Sequence, residues 1–331
     1  MAKLALIGLG KMGLLHAGLF SALQDQPITI VAEEDGLLAK LARKIMPQAR
    51  VYQDYREMLA KEELDAVVIT TPVQTHARII LDILDRRPHL SMFVEEPLAA
   101  TYQDARKVCE AARDSTGIHM VGFQRRYTAT FKRARELLAN GNIGSPWYFK
   151  SYYLVSDIFK TEHGWRFKKE TGGVMLEAGP HLLDLIIWIF GEPSVVTGVS
   201  RRFVSEEVED YVHCSMSFPS SLAGYADISW SVRNFRVPAF YIEVEGTNGK
   251  LDVSDSFLNV QLDSQGSDLP AGTHVFSRPV IQPSVPFLLG APEFCLEDQE
   301  FLSALKTKKQ PDTDFTTATK VNLWIDRIRN S

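Results

Sequence analysis

The chain predicts an α/β domain followed by an α+β domain, and three observations carry that expectation. Apolar strands alternate with amphipathic helices over the first 122 residues, strand-like stretches then follow one another with few helices between them, and a glycine turn sits directly after the first strand. Alternation is the pattern of βαβ units around a parallel sheet buried on both faces, whereas consecutive strands with period-two polarity pair antiparallel, with one face wetter. With 331 residues, 45% hydrophobic and 23% charged, the chain is long enough for two domains of ordinary size. They are expected over 1–122 and 123–331.

Residues 3–7 (KLALI) read as a buried strand running into the turn, and Met12, Leu15, Leu19 and Leu23 carry helical spacing over 11–24. Strand 28–32 follows, then a helix through Leu37, Leu41 and Ile45, a short helix over 55–61 and strand 66–70. Helix 75–84, strand 91–94, helix 102–113 and strand 119–122 complete the alternation. Past Gly122 a basic helix, 131–139, stops at Gly141 and Gly144. Strands are then expected over 147–155, 195–202, 212–218, 222–230 and 240–245, interrupted by one apolar helix, 182–190. Tyr225, Asp227 and Ser229 mark the wetter face, and helices 297–306 and 316–329 close the chain.

A formal net charge of −5 gives no electrostatic case for nucleic acid or for an anionic membrane surface. Cys109, Cys214 and Cys295 stand far apart and never as CxxC. That fits reduced thiols in a cytoplasmic protein, and neither a disulfide framework nor a cysteine zinc site. The apolar stretches 4–7 and 14–20 are interrupted by Gly8, Gly10, Lys11 and Gly13, and no small-residue cleavage site follows, so they do not read as a signal peptide. The longest apolar run, 182–190, contains Asp184 and is too short to span a bilayer. No His, Asp or Glu cluster has convincing metal-ligand spacing, and no GxSxG or Cys–His arrangement offers a covalent nucleophile. His163 reads as a lone loop histidine.

Gly8-Leu9-Gly10-Lys11-Met12-Gly13 is GxGxxG between a strand and a helix. There the first glycine makes the tight turn, the second admits a pyrophosphate to the backbone, and the third lets helix pack on strand. The helix start presents free N–H groups and a partial positive charge. These are the marks of a Rossmann dinucleotide site, with Lys11 and Met12 inside the loop. Glu33, ending the second strand, is placed to accept hydrogen bonds from the adenosine ribose hydroxyls and to repel a 2′-phosphate, which favours NAD over NADP. Glu34 and Asp35 beside it leave the register open. Thr70-Thr71-Pro72 ends the third strand, and Gln74, Thr75 and His76 open the next helix. Strand ends on this edge face the ligand crevice, so Thr71, Pro72 and His76 are candidates for the ribose and nicotinamide side. His76 reads equally as a residue that caps the turn.

GLGKMG at 8–13, TTPVQTH at 70–76, VEEPLA at 94–99, VGFQRRY at 121–127, GGVMLEAGPHLLD at 172–184, EGTNGKL at 245–251 and EDQEFLSALKTKKQP at 297–311 span nearly the whole chain. In these motifs and their order the chain resembles the glucose–fructose oxidoreductase / inositol dehydrogenase (Gfo/Idh/MocA) family. The resemblance implies a Rossmann domain and a second domain with a large, open, mainly antiparallel sheet that often mediates homo-oligomerisation. It also implies NAD(P)-linked oxidation or reduction of a sugar, polyol or related small molecule. It sets Glu95 and Glu96 beside the nicotinamide, but the family's Glu-Lys-Pro is Glu95-Glu96-Pro97 here, so a carboxylate replaces the catalytic lysine. The family's Asp-x-x-x-His pair becomes Glu177 and His181, followed by Asp184.

A helix beginning near Glu177 puts residues 177 and 181 one turn apart on one face, with Pro180 harmless in the first turn. His181 suits the task of taking a hydroxyl proton as hydride leaves, and Glu177 would orient its ring or bind substrate. The plain alternative is a helix start at which both only cap and pack. Three roles stand for Glu96: binding a polar or amine-bearing substrate such as an amino sugar, silencing hydride chemistry in a dinucleotide-binding sensor or regulatory partner, or serving a tightly held NAD in a non-redox elimination or glycoside cleavage. Arg126 and Tyr127 follow the last Rossmann strand as candidates to line substrate, an interdomain salt bridge being the alternative for the Arg125–Tyr127 run. Trp165 and Arg166 are candidates for a pocket wall, joined by Asp184. Lys168 and Lys169 are near enough in sequence to restore a positive charge lost at Glu96.

Overall fold

The computed structural model describes residues 1–159, 165–169 and 172–331, with the backbone but not the side chain of Trp165. His163 lies outside the described residues. The chain folds as two compact units, one of Met1–Gln124 with Val285–Asn322 and one of Arg125–Ser284 with Leu323–Ser331. Among the described residues no helix is long and apolar enough to cross a membrane.

The first unit runs β1 (Leu4–Ile7), α1 (Lys11–Gln24), β2 (Ile30–Ala32), α2 (Gly36–Ile45), β3 (Arg50–Tyr52), α3 (Tyr55–Lys61), β4 (Ala66–Ile69), α4 (His76–Arg86), β5 (Ser91–Glu95), α5 (Tyr102–Ala111) and β6 (His119–Gly122). Its six strands are all parallel, in the order β3-β2-β1-β4-β5-β6. β1 and β4 are buried at every position, as a sheet covered on both faces requires. The order reverses between β1 and β4, and the crevice at their carboxyl ends is where such sheets take ligands. β3 was not expected, because three residues with an exposed arginine carry no periodicity to read.

The second unit begins with α6 (Ala129–Ala139), β7 (Pro146–Leu154), α7 (Val174–Glu177) and α8 (Gly179–Phe190). It continues through β8 (Val195–Arg201), β9 (Tyr211–Ser217), β10 (Ala223–Ser229), β11 (Ala239–Gly246), β12 (Gly249–Ser254), β13 (Phe257–Leu262), β14 (Gly272–Ser277) and α9 (Arg278–Ile281). The eight strands lie in the order β14-β13-β12-β11-β7-β10-β9-β8, antiparallel throughout except for β7 beside β10. Phe149, Tyr153, Phe240 and Ile242 face the core, while Tyr148, Tyr152, Tyr225 and Tyr241 stay partly exposed. Ser229, expected on the wetter face, is buried instead, its hydroxyl donating to the Asp210 carbonyl at 3.0 Å. β12 to β14 were also not foreseen. Thr247-Asn248 turns β11 into β12, which opens on Gly249 at φ 134°, a conformation that suits glycine.

Two helices close the chain, α10 (Pro292–Thr307) and α11 (Phe315–Arg329), and α11 straddles the division between the units. A single cut after residue 122 therefore needs correction, because 285–322 returns to the first unit. Aromatic burial is the reason. Phe301 of α10 meets Phe20 of α1 at 6.0 Å and Phe93 of β5 at 5.7 Å, all three rings fully buried.

In this unit His119 stacks on Phe315 at 4.8 Å and shares a 2.8 Å hydrogen bond with the Ser115 hydroxyl. Burial pushes its pKa down to about 4. The unfolded chain takes up that proton near pH 6.5, so stability falls as pH drops from there towards about 4, by up to about 3 kcal/mol from this group. His119→Gln is expected to flatten the acid limb of the urea midpoint against pH. An unchanged limb would remove His119 as its source.

Candidate functional site

Gly8 has φ 94°, and its N–H donates to the Ala32 carbonyl at 2.9 Å. A Cβ there would stand 2.8 Å from Thr71 Cγ2, and one on Gly13 would stand 2.2 Å from the Gly8 carbonyl oxygen. The Thr70 hydroxyl donates to that same oxygen at 2.8 Å, so the turn is fixed against the β4 exit. Gly10 caps α1 without a side chain and faces open space, and the first intrahelical bond runs from the Leu14 N–H to Gly10. The N–H groups of Lys11, Met12 and Gly13 thus have no partner within the helix, and no acid occupies the first turn. That arrangement fits a pyrophosphate.

The three acids after β2 divide their work. Glu33 is buried, and its two carboxylate oxygens accept from the N–H groups of Leu9 at 2.6 Å and Asp35 at 2.8 Å. Asp35 caps α2 by accepting from Leu37 and Leu38 at 2.8 and 2.9 Å, and Glu34 is exposed. Of the three acids, Glu33 is the one whose carboxylate reaches the glycine loop, at the Leu9 N–H. Each of its oxygens keeps a further lone pair for a ribose hydroxyl.

Thr71 accepts at its hydroxyl from Thr75 at 2.7 Å, beside the exposed Pro72. His76 is 1% exposed, with its ring nitrogens 3.0 Å from the Pro97 carbonyl and 2.8 Å from the Thr71 carbonyl. Burial lowers its pKa against the pull of those two carbonyls. Its part as a direct cofactor contact is corrected: the ring clamps the β4 exit to the β5 exit. Glu95 likewise commits one oxygen to His16 Nε2 at 2.8 Å and stays partly exposed. Glu96 is half-buried and precedes Pro97 through a cis peptide bond.

In the second unit, Glu177 ends α7 and His181 lies in the first turn of α8, with Ala178 between the helices. The single helix expected from Glu177 is thus two, although Pro180 does fall at the start of α8. His181 is partly exposed, its ring centroid 6.3 Å from that of Tyr153 and 6.1 Å from that of Phe240. Burial, followed by the guanidinium charges of Arg125 and Arg166, pushes its pKa down to about 3, so the imidazole is neutral. Glu177 accepts from Trp230 Nε1 at 3.1 Å and pairs with Arg166 at 3.0 Å. It therefore holds a cation beside the histidine, a role that its spacing from His181 did not suggest. Arg125 pairs with Asp255 and lies 4.2 Å above the Phe240 ring.

Arg126 and Asp184 form a bidentate pair at 2.8 and 2.6 Å, 7% and 1% exposed. Both were expected to meet substrate, and both are corrected to a salt bridge inside this unit. Burial raises the Asp184 pKa against the opposing pull of Arg126. Tyr127 is half-buried, Arg166 is exposed, and so are Lys168 and Lys169. Trp230 and Phe240 escaped the sequence reading because each looks there like any apolar strand residue. His16, Glu297 and Asp298 of the first unit have ligand atoms within 4.8 Å of one another. His16, however, already spends both ring nitrogens on carboxylates at 2.8 Å, leaving no lone pair for a metal.

A parallel sheet with a bare, glycine-capped helix start at its switch point defines a dinucleotide-binding protein. Residues 2–123 match the oxidoreductase family with an NAD-binding Rossmann fold, and residues 131–252 match the Gfo/Idh/MocA C-terminal domain, so the chain belongs to the Gfo/Idh/MocA oxidoreductase family. It is 27% identical over 183 residues to an oxidoreductase of Schizosaccharomyces pombe, covering 54% of this chain and about half (49%) of that protein. It is 26% identical over 257 residues to scyllo-inositol 2-dehydrogenase (NAD(+)) of Bacillus subtilis, covering 75% of this chain and 72% of that one. The solved structure of a levoglucosan dehydrogenase in complex with NADH and levoglucosan superposes with a TM-score of 0.87 at 22% identity, over 99% of this chain and 96% of the other.

Removing one partner of the Arg126–Asp184 pair strands a buried charge. Asp184→Ala is expected to lose about 3–5 kcal/mol in urea unfolding, and Arg126→Met with Asp184→Leu to recover most of it. Equal losses in the single and double variants would contradict this account.

Proposed function

We propose that this chain is an NAD-dependent dehydrogenase exchanging hydride with a hydroxyl-bearing carbon of a sugar, polyol, amino sugar or related small molecule. His181 carries the reading: it is a partly exposed imidazole kept neutral by burial and two guanidinium groups, in a chain whose other unit is an NAD-binding fold. Relatives named as inositol and levoglucosan dehydrogenases support the substrate class. NAD supplies the hydride acceptor. The amides of Lys11, Met12 and Gly13 would hold its pyrophosphate, Glu33 its adenosine ribose, and Thr71 and Pro72 would lie along its nicotinamide side. The carboxylate of Glu33 also repels a 2′-phosphate, which favours NAD over NADP.

As the C–H electron pair leaves the alcohol carbon, a ring nitrogen of His181 takes the hydroxyl proton and a carbonyl forms. A base this weak passes the proton readily to water. Glu177 keeps Arg166 in place, and Tyr127, Trp165 and Arg166 bind substrate. Glu96 receives a polar or amine-bearing part of it. A dinucleotide-binding protein without turnover is the second reading, favoured by that same carboxylate.

Absorbance of NADH over a panel of polyols, sugars and amino sugars is expected to find a substrate. Its kcat/KM should stay level from about pH 8 down to about pH 5, since the base is already neutral there. A fall centred near the ordinary histidine value would sink His181 as this base. Thermal stabilisation by NAD with no turnover on any substrate would select the second reading.

We also propose a homo-oligomer, in a cytoplasmic setting that suits three free cysteines. The partly exposed sheet face carries Tyr148, Tyr225 and the stacked pair Tyr152–Tyr241 at 5.1 Å, and aromatic rings of this kind are enriched in interfaces. Tyr152→Glu with Tyr241→Glu is expected to bring the light-scattering mass down to one chain. An unchanged mass would show that the face is not used.

A further inference from the structure

Glu96 stands on a corner gripped from both flanks by buried imidazoles. On one side His76 spans the Pro97 and Thr71 carbonyls at 3.0 and 2.8 Å. On the other His16, 0% exposed in α1, holds Glu95 at Nε2 at 2.8 Å and is itself held at Nδ1 by Asp298 of α10 at 2.8 and 3.1 Å. Glu297, the neighbour of Asp298, is 1% exposed and its Oε1 has no hydrogen-bond partner among the described residues. Burial pushes the Glu297 pKa well up, and the charges of Glu95, Asp298 and Glu96 push it the same way against His16.

Stability does not explain this cluster. The ring of His16 sits among Phe93, Phe20 and Phe294 at 4.9, 6.1 and 6.1 Å, a cage that would accept an aromatic or aliphatic side chain. Buried ionic groups are often no more stabilising than well-packed apolar ones, whereas they do fix geometry. With a carboxylate at each ring nitrogen the imidazole carries two protons. Burial opposes that state, but Asp298 and Glu95 outweigh it and raise the His16 pKa well above the ordinary value.

We propose that His16 is a positioning residue for the reaction: held by Asp298 and holding Glu95, it fixes the exit of β5, so that α10 sets where the Glu96 carboxylate stands. The inference rests on the proposed dehydrogenase reading only in placing Glu96 against substrate; the mechanical link itself lies within the first unit. The link also has a sign in pH. The charged groups facing His16 and its partners are Glu95 and Glu96 beside β5 and Glu297 and Asp298 of α10. Raising pH until His16 gives up a proton releases one of its two carboxylates, and removing the Asp298 charge brings that point to lower pH.

Asp298→Asn and His16→Phe test this, the second keeping the aromatic cage filled. Both variants should bind NADH, followed by its fluorescence, within about twofold of wild type. Asp298→Asn, which keeps the His16–Glu95 pair, should melt within a few degrees of it, whereas His16→Phe strands two carboxylates and should melt well below. Amide hydrogen exchange over 94–98 should quicken roughly tenfold in each. In each, kcat should fall roughly tenfold or more with KM little changed, as displacement of a substrate-positioning group requires. In Asp298→Asn the alkaline limb of kcat should also move to lower pH. Unchanged exchange at 94–98 in folded Asp298→Asn overturns the proposal, and so does faster exchange with kcat and its pH profile intact. If the wild type turns over nothing, the dehydrogenase reading fails, while exchange still decides whether His16 holds the corner. Should His16→Phe not fold, Asp298→Asn alone carries the test.

Discussion

The absence of room for a Cβ at Gly8 and Gly13 is the constraint on which the first unit depends. A methyl at Gly13 would collide with the Gly8 carbonyl, and one at Gly8 with Thr71, so α1 can lie this close to the strand ends only with both hydrogens in place. That approach leaves the first amides of α1 open at a bare cap. It also fixes what the helix carries onward. His16 comes one turn after Gly13, and the same close packing delivers its ring to Glu95. The anion site and the ionic knot are two results of one packing choice.

Buried charge is handled alike in the two units. Arg126 meets Asp184 through two parallel bonds, and His16 meets a carboxylate at each ring nitrogen. Such groups are expensive to desolvate, and apolar residues of the same shape commonly serve stability as well. What they add is direction. Asp184 lies one turn beyond His181 on α8, and Glu95 immediately precedes Glu96, so each buried pair borders a residue assigned to the chemistry. Glu177 follows the same logic by anchoring Arg166, whose charge helps keep His181 neutral.

Much of this was legible in the chain. The alternation of strands and helices, the glycine loop and the acid at the end of β2 all depend on neighbours within about 30 residues, which is the range over which sequence patterns speak. β3 escaped because it is too short to show a period, and β12 to β14 because their turns and polar residues blur alternation. Among the site residues the errors share one cause. His76, Asp184 and Arg126 were each read by residue type and position, yet each side chain answers to a partner 21 to 58 residues away. A histidine near a crevice and a histidine clamping two carbonyls look the same in one dimension.

By itself, then, the sequence determined the two kinds of sheet, the family, the glycine cradle and the carboxylate beside it, because each follows from local spacing and residue chemistry. Only the tertiary structure decided which of three adjacent acids faces the cradle, that the closing segment belongs with the first unit, and that Glu177 anchors an arginine. Those outcomes depend on which distant groups satisfy a buried donor, acceptor or ring. That matching is made by three-dimensional packing, and spacing along the chain does not encode it.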